Sequence, residues 1–126
     1  MRYLGIDFGK KRVGVAISDE SNRLAFPLSV LPNDKTLLGA IQEIIKIEKI
    51  EQIVIGESKD FQGKPNKIMG EIEKFAKILK EKTQLVIVFE PEFMTSVQAE
   101  QLQGKNEMHD ASAAAIILQS YLDRLQ

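Results

Sequence analysis

The hydrophobic period changes once along this chain, and that change restricts its fold more than any other feature. Up to Leu31, apolar residues come in short runs divided by turn-forming residues. Tyr3 to Gly9 and Arg12 to Asp19 lie around Gly9-Lys10-Lys11, which predicts an opening β-hairpin. A third run, Leu24 to Leu31, contains Pro27, which has no N–H for a central ladder and so predicts an edge strand. From Thr36 to Ile50 the period becomes helical, with Leu37, Leu38, Ile41, Ile44, Ile45 and Ile47 on one side and charged residues on the other. Gln52 to Gly56 is a short β-branched run, expected of a buried parallel strand, and a polar loop follows over Glu57 to Lys64. Pro65 suits the first turn of a helix reaching Lys82, and Leu85 to Phe89 is the next buried strand. A short helix over Val97 to Gln103 ends at Gly104, and Asp110 is the expected N-cap of a last helix, Ala111 to Leu125.

The resulting order is β-β-β-α-β-α-β-α-α: a meander, then alternating strands and helices. It predicts an α/β fold with a mixed sheet and helices on its faces. With 126 residues there is room for one core, and residues 1–126 read as a single domain. Seventeen basic residues against eighteen acidic ones leave no overall field to attract a polyanion, so a nucleic-acid partner requires a local basic patch. The absence of cysteine excludes disulfides, thiolate metal sites and a cysteine nucleophile, so any metal would be bound through oxygen. No apolar run approaches the ~18 residues of a spanning helix, so no membrane association is expected and a cytoplasmic location is.

Asp7 interrupts an otherwise apolar strand. A buried charge must be paired, hydrogen-bonded or metal-bound, so Asp7 is either a ligand or a cap for backbone donors of the hairpin that follows. Glu90 and Glu92 follow the strand ending at Phe89, where parallel sheets place ligands, although each taken singly reads as a solvated loop charge. Asp110 is explained by capping alone, and Asp19, Asp34, Asp60 and Asp123 by turns or solvent. Taken together, one acid in the first strand, one after a central strand and one at the last helix could converge on Mg2+ or Mn2+, which prefer oxygen ligands. His109 beside Asp110 is a proton shuttle or a structural side chain. Lys10, Lys11 and Arg12 crowd the hairpin, and Lys59, Lys64 and Lys67 surround the later loop. They are either phosphate contacts or ordinary solvated residues.

The segment DFGKKRVGVAISD, Asp7 to Asp19, resembles the first motif of the YqgF/RuvX family of Holliday junction resolvases, also linked to maturation of pre-16S ribosomal RNA. The resemblance continues through IVIG, EFMTSVQAE and HDASAAAIILQSYLD, over nearly the whole chain. It implies an RNase H-like domain with a mixed five-stranded sheet and a metal-dependent nuclease acting on structured RNA or branched DNA. Carried over by position, its metal ligands are Asp7, Glu92 and Asp110, and its cofactor is Mg2+ or Mn2+. Three departures stand out. Phe93 follows Glu92 where the family has arginine, Glu57 follows Gly56 where the family has leucine, and Gly104 to His109 is shorter and less basic than usual. Glu57 thereby becomes a candidate further ligand, either joining the metal shell or raising a neighbouring acid's pKa.

With such a site the reaction would be phosphodiester hydrolysis. Symmetric cutting of a junction would need a homodimer, because one small chain offers one site. Two other readings compete: a nucleic-acid-binding module without catalysis, suggested by Phe93, and an actin/Hsp70-like ATP-binding domain, whose phosphate loop Asp7-Phe8-Gly9 also resembles. The latter needs two such domains, and this chain has room for one.

Overall fold

A computed structural model describes residues 2–57, 68–91 and 109–125, with backbone alone at 109 and 110. The first three strands form the expected meander: β1 (Arg2–Phe8), β2 (Arg12–Ser18) and β3 (Ala25–Pro32), each antiparallel to the one before. Helix α1 (Leu37–Glu48) leads to β4 (Ile50–Glu57), helix α2 (Ile68–Thr83) to β5 (Val86–Pro91), and helix α3 (His109–Arg124) closes the described chain. The sheet order is β3-β2-β1-β4-β5, with β4 parallel to both β1 and β5. The sheet is therefore mixed and five-stranded. β3 lies at an edge, where Pro27 leaves no central ladder short of a donor.

Element ends depart from the sequence reading in ways that matter for the site. Lys49 adopts a left-handed conformation (φ 55°), and its N–H caps the Ile45 carbonyl, so α1 stops early and Ile50 already belongs to β4. Glu57 is the last residue of β4, not the start of a loop, and Glu90 and Pro91 extend β5. Helix α3 opens at His109, which puts Asp110 inside the first turn instead of at the N-cap. The short helix expected over 97–103 lies outside the described residues.

The two sheet faces carry separate cores. Leu4, Ile6, Phe8, Val13, Val15, Ile53 and Ile55 pack under α1 and α2 against Leu37, Ile41, Ile72 and Leu79. Ala16 and Val54 pack under α3 against Ala114, Ile117, Leu118 and Leu122. Each fully buried aliphatic side chain contributes about 1.5–3 kcal/mol. Helix α3 sits unusually close to the sheet. A Cβ on Gly5 would come 2.8 Å from the Leu118 Cβ and 3.0 Å from the Ala114 carbonyl oxygen, so the close approach depends on glycine.

Candidate active site

Strand parity fixes the face on which each acid stands. Gly5 touches α3 and Tyr3 packs with the α3 core, so Asp7, two residues further along β1, belongs to the same face. Across the sheet, Asp7 stands opposite Gly14, which stands opposite Val30. On the other side the register runs Gly5 to Val54 and Ile6 to Ile55, which brings Asp7 level with Gly56, and Gly56 stands opposite Glu90. The half-buried Asp7 is thus flanked within the sheet by two positions without side chains.

Helix α3 runs antiparallel to β1. The Tyr3 and Tyr121 ring centroids are 6.2 Å apart, while Gly5 meets Leu118 and Ala114. Two further strand residues cover about 6.6 Å, or about four helical residues at 1.5 Å each. The backbone at Asp7 therefore comes level with the first turn of α3, which holds Asp110. Glu92 lies outside the described residues, as do Phe93, Lys59, Lys64 and Lys67. Among the described residues no three His, Asp or Glu groups cluster closely enough to hold a metal ion.

Glu57 falls on the wrong face for the role considered for it. Ile53 and Ile55 point into the α1–α2 core and Val54 into the α3 core, so Glu57 shares the parity of Ile53 and Ile55, opposite Asp7. Glu90 is the residue the sequence reading underrated. Far from being a solvated loop charge, it is 3 % exposed on the Asp7 face. Its Oε2 accepts the Ser120 hydroxyl at 2.8 Å and its Oε1 accepts the Arg124 guanidinium. Ser120 and Arg124, spaced i, i+4 on the last helix, were the available signal.

The hairpin tip is basic and its backbone is hydrogen-bonded. Gly9 N–H donates to the Arg12 carbonyl at 3.0 Å, and a Cβ on Gly9 would lie 2.5 Å from that oxygen. Asn33 braces the tip, its N–H donating to the Lys11 carbonyl at 2.9 Å and its side-chain amide to the Gly9 carbonyl at 2.7 Å. Lys10 and Lys11 are exposed there, two and three residues beyond the end of β1 that carries Asp7, and so is Arg12, the first residue of β2.

A three-strand meander entering two parallel strands, with an acid on the central strand facing the first turn of the last helix, defines an RNase H-like domain. Solved structures agree. Thermus thermophilus RuvC in complex with Holliday junction substrate superposes with a TM-score of 0.66 at 14% identity, covering 99% of this chain and 96% of that one. The fowlpox virus resolvase with junction DNA gives 0.61 at 12% identity, covering 99% of each chain. The chain belongs to the RuvX family, described as Holliday junction resolvase, whose profile matches residues 1–124. A relative from Caldanaerobacter subterraneus, named as a candidate pre-16S rRNA nuclease, is 37% identical over 134 residues, covering 98% of this chain and 96% of its own. Among the described residues no helix is long and apolar enough to cross a membrane.

Proposed function

We propose that this chain is a metal-dependent nuclease that hydrolyses phosphodiester bonds in structured nucleic acid, as a pre-16S rRNA processing enzyme, a junction resolvase, or both. The observation that carries the reading is Asp7: a half-buried carboxylate on the central strand, between two glycines and level with the helix turn that holds Asp110. Family membership supports it.

Asp7, Glu92 and Asp110 are the proposed ligands. A donor set of carboxylates in a chain without cysteine fits a hard cation, Mg2+ or Mn2+. When bound, such a cation supplies an activated water and charge neutralisation at the scissile phosphate. The chain's own contribution is placement. Gly14 and Gly56 leave the phosphate access to Asp7, and Lys10, Lys11 and Arg12 hold flanking phosphates without reading bases. Lys59 and Lys64 are proposed to extend that grip. Glu57, on the opposite face, is left out of the ligand set.

Purified protein incubated with a Holliday junction, a duplex and precursor ribosomal RNA, with and without Mn2+, tests this reading. Metal-dependent cleavage of at least one substrate is expected. Binding without cleavage would instead identify a non-catalytic module.

A further inference from the structure

Glu90 carries a charge in a place that a hydrophobic residue would fill at least as favourably. It is the only buried ionisable side chain among the described residues, at the end of β5, under the last turns of α3. Burying a carboxylate there is unfavourable unless its oxygens are satisfied, and both are: Oε2 by the Ser120 hydroxyl at 2.8 Å, Oε1 by the Arg124 guanidinium. Because Ser120 and Arg124 are one turn apart on a single helix face, the two contacts together oppose both sliding and rotation of α3 over β5. An apolar contact would restrain neither motion so sharply, and fixing a single register is the best-attested use of a buried polar group, which Glu90 is although Ser120 and Arg124 stand at the surface.

What the clamp joins gives it a functional consequence. Its strand end is two residues before Glu92. Its helix is the one whose first turn holds Asp110, about 21 Å back along a rigid rod from Arg124 at 1.5 Å per residue. Other contacts tie α3 elsewhere: Gly5 to β1, the Gln52 amide to the Tyr121 hydroxyl at 2.8 Å, and Gln119 to the β3 start. The Glu90 contacts bind the helix to β5, the strand that leads to Glu92.

We propose that Glu90, held by Ser120 and Arg124, is a positioning residue for the metal site, fixing the register in which α3, whose first turn carries Asp110, sits on the end of β5. The proposal rests on the three-acid reading above. Groups bonded directly to metal ligands change metal affinity about 10–100-fold when altered, and Glu90, which acts through the helix, belongs at the lower end of that range.

The test compares wild type with Glu90→Gln, Arg124→Ala, Arg124→Lys, Ser120→Ala and Asp7→Asn. Mn2+ binding is titrated on substrate-free protein by electron paramagnetic resonance, and half-saturating Mn2+ for cleavage and thermal stability are measured alongside. Glu90→Gln and Arg124→Ala are expected to weaken Mn2+ binding about 10-fold and to regain much of their cleavage rate at high Mn2+. Ser120→Ala should show a smaller shift, and Arg124→Lys should restore part of the affinity. Wild-type Mn2+ affinity in Arg124→Ala or Glu90→Gln, with only thermal stability lowered, would make the clamp merely structural and overturn the proposal. Should Glu90→Gln not fold, Arg124→Ala and Ser120→Ala decide the matter on the same readout. Asp7→Asn with unchanged Mn2+ binding would instead overturn the three-acid reading itself.

Discussion

At the scale of single residues, the distinction between a ligand and a structural acid comes down to strand parity and hydrogen-bond partners. Asp7 and Glu57 are both acids near strand ends, yet the alternation of β1 and β4 sends them to opposite sheet faces. Glu57→Gln is therefore expected to leave metal-dependent cleavage within about twofold of wild type. Glu92→Gln should lower it by about 100-fold or more, since loss of a ligand removes kcal/mol-scale stabilisation of the transition state. The reverse pattern in matched assays would reassign the second ligand. Asp19 shows the other kind of acid. Its carboxylate accepts the Arg23 N–H at 2.9 Å, the Leu24 N–H at 3.3 Å and the Ser21 hydroxyl at 2.9 Å, and these bonds, led by that from Arg23, hold its pKa below the usual 3.8. A depressed folded-state pKa means that the charged form stabilises the turn above the unfolded-state value and that this contribution fades as pH falls through the folded one. Asp19→Asn should thus be less stable than wild type at pH 7, with the difference shrinking below about pH 4. Denaturant midpoints across pH would show it, and a difference that grows in acid would refute the assignment.

At the scale of elements, the hairpin and the last helix bring chemistry to the same end of the sheet. The Gly9 turn and the Asn33 brace hold the backbone that carries Lys10, Lys11 and Arg12, which lowers the backbone share of the ordering cost of gripping a phosphate. Replacing all three by alanine should weaken nucleic-acid binding without changing substrate preference. It should also reduce the slope of log K against log salt by as much as about 2–3, near 0.7–0.9 for each phosphate that is no longer neutralised. Binding isotherms at several salt concentrations measure this, and an unaltered slope would place the nucleic-acid face elsewhere. The elements themselves were largely legible from the sequence, because each core-facing stripe matches one regular period. Their ends were not. A left-handed Lys49 stopped α1 where apolar spacing alone ran on to Ile50, and ladder pairing with β4 carried β5 to Pro91 where the apolar run ended at Phe89. That second extension is why Glu90 read as a loop charge: its partners sit thirty residues and more away, on α3.

For the whole molecule, a mixed sheet with helices on its faces could be anticipated from the change of period, whereas the single core expected from chain length is divided by the sheet into two, one on each face. Which acids share a face could not be anticipated, because that depends on register across β1, β2, β4 and β5, and a one-residue slip reverses every side chain. The proposed ligands rest on the resemblance to the family's motifs, with the row of Gly14, Asp7 and Gly56 giving the first of them its surroundings. One chain of this size carries one such site, so two-fold cutting of a junction would need two copies. Paired incisions should then rise more steeply with protein concentration than single nicks. Equal dependence of both would argue for a monomer acting twice. The central claim, that Asp7 is the metal-binding acid of a nuclease, is tested most directly by cleavage in Mn2+ with wild type and Asp7→Asn side by side, thermal stability being recorded for both. Asparagine keeps the size and hydrogen-bonding capacity of the side chain but not its charge. The expected result is a loss of about 1000-fold or more in rate with little change in melting temperature; undiminished cleavage by Asp7→Asn would contradict the account.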